Sequence, residues 1–166
     1  MSTQFGFSFN KDRCVQCYGC EVACKNWRGA EAGVRWRRVS SIWSGRFPNV
    51  KMASASVSCM HCADPVCVGA CPASAITKRP EDGIVVVDRS KCIGCKSCEK
   101  ACPFGAPQFG ADGKMQKCDM CMNEIDLSKD APPCADTCPT KALRLGKMER
   151  EEKTAREKEI QKLLAF

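Results

Sequence analysis

Large aliphatic side chains are scarce in this sequence. Leu, Ile, Val and Phe together account for only 29 of its 166 residues, a fraction low enough to be typical of disordered proteins. So little apolar surface cannot offset the conformational entropy lost on folding. The composition therefore excludes a fold held by an apolar core alone, and it predicts that the chain needs another source of folding free energy.

Long apolar runs and targeting signals are missing as well. No stretch approaches the roughly 20 apolar residues of a membrane-spanning helix, so we expect no membrane span. The first residues, Met1 to Phe5, lack the basic start and apolar stretch of a secretory leader and contain no twin-arginine motif. By itself the sequence therefore predicts a cytoplasmic product.

Cysteine, in contrast, is abundant, and its sixteen copies fall into four groups of four. The groups are Cys14-x2-Cys17-x2-Cys20-x3-Cys24, Cys59-x2-Cys62-x4-Cys67-x3-Cys71, Cys92-x2-Cys95-x2-Cys98-x3-Cys102 and Cys118-x2-Cys121-x12-Cys134-x3-Cys138. Two of them have the spacing that binds 4Fe–4S clusters in bacterial ferredoxins, where the fourth cysteine ligates the other cluster. The sequence therefore predicts four 4Fe–4S clusters, whose binding free energy would stabilise the fold.

Disulfides and structural zinc are the alternative uses of so many cysteines. Runs of Cys-x2-Cys-x2-Cys direct three thiols at one point, whereas disulfides need pairs at fixed Cα separations. Zinc sites usually consist of two Cys-x2-Cys pairs with a spacer between them, which differs from three close ligands and a distant fourth. Iron–sulfur clusters are favoured over both, and colour separates the cases because zinc sites are colourless.

The formal net charge of +7 would suggest an acidic partner such as nucleic acid. Each 4Fe–4S core with four thiolates contributes about −2, however, and four of them bring the total to about −1. We therefore expect no nucleic-acid partner. The basic residues are expected to offset cluster charge or to face a protein.

Short segments beside the cysteine groups predict the fold class. Phe5, Phe7 and Phe9 alternate with small residues, as in a half-buried strand. Residues 75–87 predict a β-hairpin closed by the Asp-Gly pair at 82–83, and short helices are expected around the last cysteine of each triplet. This repeating unit predicts an α+β fold of two bacterial-ferredoxin-like two-cluster domains, one inserted in the other, with extra loops and a C-terminal helix.

The pairing of groups predicts both domain boundaries and ligand sets. Residues 51–110 form the inserted domain, residues 1–50 with 111–146 form the discontinuous outer domain, and residues 147–166 form a helical tail. The predicted ligand sets are set 1 (Cys14, Cys17, Cys20, Cys138), set 2 (Cys24, Cys118, Cys121, Cys134), set 3 (Cys59, Cys62, Cys67, Cys102) and set 4 (Cys71, Cys92, Cys95, Cys98).

Two segments and one residue stand outside this pattern. Residues 25–58 are rich in Trp and Arg, a mixture enriched at protein interfaces; an equally weighted alternative is a loop that packs its tryptophans over its own cluster, with its arginines in water. The tail is expected to be an exposed helix whose few apolar residues dock on a neighbour; these are Ile160, Leu163, Leu164 and Phe166. His61, the only histidine, is expected to pack beside a cluster rather than bind iron, because the cysteines already fill every site.

Several segments together resemble a known family across residues 4–145. The matching segments are Gln4-Phe5-Gly6-Phe7, Ser58-Cys59-Met60-His61-Cys62-Ala63-Asp64-Pro65, Cys92-Ile93-Gly94-Cys95, Cys102-Pro103-Phe104-Gly105-Ala106-Pro107-Gln108 and Lys117-Cys118-Asp119. The chain resembles the four-cluster iron–sulfur subunits of the dimethyl sulfoxide reductase family, and among them most the subunit of dimethyl sulfoxide reductase itself.

The resemblance implies a non-catalytic subunit that relays electrons to or from a large catalytic subunit, which contains molybdopterin with Mo or W. In some relatives the iron–sulfur subunit also binds a membrane subunit that exchanges electrons with quinone. It implies that the Cys14 cluster lies nearest the catalytic subunit and the Cys92 cluster farthest from it. Related nitrate reductases have tryptophan at the position of Cys95 and a 3Fe–4S cluster there, so we expect four 4Fe–4S clusters here. Some relatives are exported already folded, together with a catalytic subunit that carries the export signal. The periplasmic face of the membrane is therefore an alternative to the cytoplasm as the location of this chain.

Two other functions remain as alternatives. The same module serves hydrogenases, so the chain could be the equivalent subunit of such an enzyme. A free polyferredoxin carrier is a different class, and it predicts a stable monomer without an interface segment. In none of these cases is substrate chemistry expected on this chain, because cysteine occupies every cluster iron.

Overall fold

A computed structural model describes residues 4–164, without the side chain of Leu163. Its elements are β1 (Gln4–Phe9), a 3-10 turn (Lys11–Arg13), α1 (Gly19–Trp27), β2 (Arg37–Ser44), β3 (Lys51–Ser58), α2 (Val66–Gly69), β4 (Ile76–Lys78), β5 (Val85–Val87), α3 (Ser97–Ala101), β6 (Gln108–Phe109), β7 (Met115–Gln116), α4 (Pro133–Asp136), β8 (Leu143–Met148) and α5 (Arg150–Leu164). The predicted mixture of short strands and short helices is confirmed.

The strands of the described residues pair as four separate two-stranded antiparallel ribbons, β1–β8, β2–β3, β4–β5 and β6–β7. The first ribbon joins distant parts of the chain, since Gln4 pairs with Met148 and Phe9 with Leu143. Isolated two-stranded ribbons are marginally stable in water. Each ribbon must therefore be held by what packs against it.

The predicted hairpin at 75–87 is confirmed as β4 and β5, in which Ile76 pairs with Val87. Its turn contains Gly83 at φ +70°, a left-handed conformation that glycine adopts at little cost. The Asp82 carboxylate accepts a hydrogen bond from the backbone N–H of Ile84 at 2.9 Å. This turn could be predicted from the sequence because it depends only on neighbouring residues.

The segment predicted as a Trp- and Arg-rich loop is instead largely a hairpin. β2 and β3 pair over eight residues each, from Arg37 opposite Ser58 to Ser44 opposite Lys51. β2 reads Arg-Arg-Val-Ser-Ser-Ile-Trp-Ser, in which polar and apolar residues do not alternate, so the strand lacks the apolar face that marks strands in sequence. This hairpin also spans the predicted domain boundary at residue 50.

The buried apolar residues form four small clusters, and cysteines belong to every one of them or pack against it. One cluster consists of Ala55, Val57, Phe104 and Ile160. Ile160 belongs to α5, so this helix packs on the body of the protein; the expectation of an exposed helix was wrong for this face. Phe166, which was expected to dock with it, lies outside the described residues.

Candidate metal centres

Three cavities are each lined by four cysteines. The lining sets are Cys14, Cys17, Cys20 and Cys138; Cys59, Cys62, Cys67 and Cys102; and Cys71, Cys92, Cys95 and Cys98. The three cavities are similar in size. Similar sizes and equal thiol counts suit three copies of the same occupant.

The remaining four cysteines come together in the interior. Burial raises the pKa of Cys24 to about 12, and the neighbouring Cys118, Cys134 and Cys121 raise it further by charge repulsion. Burial likewise raises the pKa of Cys121 to about 12, again with Cys118 and Cys134 as neighbours. The four groups in the structure therefore have the same members as the four predicted ligand sets.

The donor chemistry of these groups fits a polynuclear iron–sulfur group. Four thiols crowded together, some of them with pKa values raised by burial, are stable as thiolates only around a strong positive charge, and a metal supplies that charge.

One backbone conformation recurs in all four cysteine groups. The residue just before the second cysteine has a left-handed φ in each group: Gln16 at +54°, His61 at +47°, Gly94 at +69° and Met120 at +60°. This conformation costs a residue other than glycine about 1–2 kcal/mol. The turn lets cysteines three residues apart face one cavity. The conformational free energy of the left-handed residue therefore serves to position the thiols.

A second recurring turn follows the Cys-Pro pairs. Three residues after Cys71, Cys102 and Cys138, the chain is again left-handed, at Ser74, Gly105 and Lys141. The turn directs a backbone N–H back at the sulfur, from Ala75 to Cys71 at 3.3 Å and from Ala106 to Cys102 at 3.5 Å. Hydrogen bonds to cluster sulfurs are one of the ways by which a protein sets the reduction potential.

The second cysteines of sets 1 and 4 are at the surface. Cys17 and Cys95 are exposed, whereas all the other cysteines are partly or fully buried. Exposed apolar residues flank both, with Val15 and Tyr18 beside Cys17 and Ile93 beside Cys95. The structure therefore has two cysteine sets with an exposed thiol and two sets without one.

Apolar packing brings the sets together in a fixed order. One cluster of buried residues contains Cys24 and Cys134 of set 2 with Cys20 and Cys138 of set 1 packed against it. A second joins Cys118 of set 2 to Cys59 of set 3. A third has Cys98 of set 4 in its core, with Cys67 of set 3 packed against it. The sets therefore follow one another from 1 to 4.

The buried charged residues of the described chain are all cations: Arg37, Lys117 and Lys153. The Lys117 ammonium donates to the carbonyl oxygens of Val85 and Cys118, and the Lys153 ammonium donates to Phe5 O at 2.8 Å. An uncompensated buried charge is costly. Their counter-charge must come from a group of negative charge in the interior, as iron–sulfur clusters with thiolate ligands provide.

The sequence did not single out these cations. Arg37 was expected at an interface or in water, which is wrong because its side chain is fully buried. Its neighbour Arg38 is half-buried and donates to Gly105 O at 3.0 Å and to Phe104 O at 2.5 Å. A surplus of basic residues in a protein with anionic cofactors was the available signal, but it does not say which residues are inside.

His61 is fully buried. Its Nδ1 atom accepts a hydrogen bond from the Val85 N–H at 3.0 Å. Burial, and then the charges of Lys117, Lys153 and Lys78, hold the pKa of His61 well below its usual value. A neutral imidazole that accepts a backbone hydrogen bond fits the predicted packing role.

None of the helices within residues 4–164 is long and apolar enough to cross a membrane.

Comparison with protein families gives two matches. The family described as "4Fe-4S dicluster domain" matches residues 50–148, and the family described as "4Fe-4S binding domain" matches residues 11–27. Together these ranges contain all sixteen cysteines.

Individual relatives are similar over most of the chain. The "Probable anaerobic dimethyl sulfoxide reductase chain YnfG" of Escherichia coli K12 is 43% identical over 161 residues, which cover 90% of this chain and 76% of the relative. The "Formate dehydrogenase iron-sulfur subunit" of Wolinella succinogenes is 40% identical, covering 84% and 80%. The "Thiosulfate reductase electron transfer subunit PhsB" of Salmonella typhi is 34% identical, covering 92% and 80%.

Proposed function

Because this chain belongs to the family of iron–sulfur subunits that serve dimethyl sulfoxide reductase and related molybdopterin oxidoreductases, we propose a specific route for electrons through it. The chain is an electron-transfer subunit with four 4Fe–4S clusters, and it is not itself the catalyst. When bound, such clusters accept and release one electron each. The proposal concerns which cysteines hold them, in what order, and what they face.

The four cysteine sets are the proposed ligands. The observation that supports this best is that four cysteines from two distant groups line each of three similar cavities, with Cys138 joining the first group and Cys102 the second. The left-handed turns before the second cysteines serve the same geometry in all four groups. Each set takes three thiols from one group and its fourth from another, as in bacterial ferredoxins.

The proposed architecture is a two-cluster unit of residues 51–110 inserted in an outer unit of residues 1–50 and 111–146. Pairing of β1 with β8 supports the outer unit, because it joins its two halves. Packing of α1 against α4 supports it further. In the inserted unit, α2 packs on α3 and β4 pairs with β5.

The electron route is proposed to run along the sets from 1 to 4, with its ends at Cys17 and Cys95. Exposure of these two thiols, while no cysteine of sets 2 and 3 is exposed, supports the ends. The chain's own contribution is to hold the sulfurs, donate hydrogen bonds to them and exclude water from the inner sets. Set 1 is proposed to face the molybdopterin catalytic subunit and set 4 a second redox partner, such as a quinone-reactive membrane subunit.

The β2–β3 hairpin supplies a surface beside set 1. Val39 and Ser56 at its base line the set 1 cavity, and the Gln16 side chain of the set 1 loop donates to Ser41 Oγ at 3.4 Å. Further along the same face of β2, Trp43 is exposed and pairs across the hairpin with exposed Met52. Exposed Trp and Met are enriched in the centres of interfaces, so this face is the proposed contact with the catalytic subunit.

Elemental analysis of the tagged chain, isolated from its native host without oxygen, tests the proposal. About sixteen irons per chain, together with molybdenum or tungsten from a co-purifying large subunit, are the expected result. Nickel instead would identify a hydrogenase subunit. Sixteen irons without another metal or polypeptide would favour a free carrier, and zinc without iron would overturn the cluster assignment.

A further inference from the structure

We propose that Arg37 sets the reduction potentials of two neighbouring clusters, those of sets 1 and 2, by placing one fixed positive charge between them. This inference rests on the ligand sets given above. It assigns to one buried side chain a role that neither the cysteine pattern nor the similarity to relatives contains.

The guanidinium of Arg37 is enclosed without an acidic partner. Its side chain is 1% exposed, and its Nη1 and Nη2 atoms donate to the neutral hydroxyls of Ser56 at 3.0 Å and Ser58 at 2.9 Å. The ring of Phe7 covers it, with the guanidinium carbon 4.2 Å from the ring centre. Its Nε atom has no hydrogen-bond partner. All its protein contacts are therefore neutral.

Other arginines of the described residues show the usual arrangement. Arg28 forms ion pairs with Asp119 and Glu124, and Arg79 with Glu81 and Asp82. Arg37 forms no ion pair with a carboxylate within residues 4–164, although it is the most deeply buried of these arginines. A buried charge without a partner is strongly destabilising, so Arg37 requires a counter-charge other than a carboxylate.

The negative groups that do face Arg37 are cysteine sulfurs of two sets. Phe7, whose ring covers the guanidinium, packs against the buried cluster that contains Cys24 and Cys134 of set 2. On the side of set 1, the hydroxyl of Ser56 links Arg37 to Cys20, since it accepts from Arg37 and lies 3.4 Å from Cys20 Sγ.

A fixed cation in this position acts on both clusters in the same sense. Reduction adds one negative charge to a group that is already anionic, and a nearby positive charge in a medium of low dielectric constant stabilises the reduced form. The midpoint potentials of both clusters are therefore higher with Arg37 than without it. Toward set 3 the guanidinium reaches Ser58, whose hydroxyl donates to the backbone oxygen of Cys59 and not to its sulfur. Set 4 lies farther along the order of the sets.

The test is Arg37→Gln in the complete complex, with the potentials of all four clusters measured by redox titration followed by electron paramagnetic resonance. Two of the four midpoint potentials should fall, while the other two stay as in the unchanged protein. Arg35→Gln is the matched control, because Arg35 is exposed and pairs with Glu21 at 3.4 Å, and it should leave all four unchanged. Four unchanged potentials in Arg37→Gln with full iron content would overturn the proposal.

If the Arg37→Gln protein does not bind its iron–sulfur clusters, Arg37→Lys is the second variant to measure. Lysine keeps the charge but loses the forked hydrogen bonds to the two serines, so the same two potentials should shift in the same direction by a smaller amount. A shift of all four potentials, or of none, would contradict the proposal. Iron content of the unchanged protein tests the proposed function separately, so the two failures are distinguishable.

Discussion

Single residues in the cysteine loops carry much of the positioning. Gly94 lies between Cys92 and Cys95 at φ +69°, and a Cβ atom there would come within 2.7 Å of the backbone oxygen of Gly113. A backbone oxygen cannot move aside as a flexible side chain can. Of the four loops that share the left-handed turn, this one alone uses glycine, and the close contact with the neighbouring ribbon explains why.

Gly94→Ala is therefore expected to disturb the loop of set 4. Left-handed strain costs about 1–2 kcal/mol, and the clash adds about 1–3 kcal/mol, as overpacking does. Thermal unfolding and iron content of the purified protein measure the effect. The matched control is Gly113→Ala, which has the same φ of +69° but open space around its Cβ. Equal losses in both variants would show that strain alone matters.

Among the elements, the β2–β3 hairpin has two functions that divide along its length. Its base covers set 1 and carries Arg37, whereas its far end is exposed on the face that continues from set 1. Cross-strand pairs such as Trp43 with Met52 are the units that stabilise such a ribbon. Because both of these side chains are exposed, polar replacement at the far end should nevertheless leave the base and its cluster in place.

Changing Trp43 and Met52 together to Ser should weaken association with the catalytic subunit at least tenfold, because buried Trp side chains often contribute 2 kcal/mol or more at an interface. Co-purification and a binding titration measure it, with iron content as the check that set 1 is intact. Val22→Ser on α1 is the control, since Val22 is equally exposed, at 64% against 65% for Trp43. Unchanged binding in the double variant would remove this face from the interface.

The sequence predicted those parts of the fold that depend on neighbours along the chain. Cysteine spacing gave the four groups, and the Asp82-Gly83 pair gave the β4–β5 hairpin, because short-range geometry determines both. The β2–β3 hairpin was missed, since an arginine at an inward position of a strand contradicts the apolar alternation by which strands are recognised. Arg37 is stabilised there by distant cysteines, and α5 likewise buries Lys153 against Phe5 and Gln4. Such long-range charge compensation has no local pattern.

For the whole molecule, we expect the free energy of folding to depend on binding of the clusters. The buried apolar clusters are small and incorporate the cysteines themselves, and the buried cations need a negative counter-charge. Removal of the iron leaves crowded thiols and unpaired cations in the interior. Little then remains to offset the conformational entropy of the chain.

Chelation of iron under anaerobic conditions should therefore unfold the protein. Far-ultraviolet circular dichroism is expected to lose most of its helical signal, and the cooperative thermal transition of the loaded protein should disappear. Rebuilding the clusters with iron and sulfide should restore both. A chain without iron that keeps the same melting transition would show that the apolar clusters suffice.

The β1–β8 ribbon also determines when the protein can be completed during synthesis. Its pairs join residues near position 4 to residues near position 148, and set 1 as proposed waits for Cys138. The ribosome must therefore translate most of the message before Cys14, Cys17 and Cys20 can be joined by their fourth ligand. The middle of the chain, whose two sets are complete by residue 102, is available for iron delivery first, so maturation proceeds from the inside outward rather than from the first codon to the last.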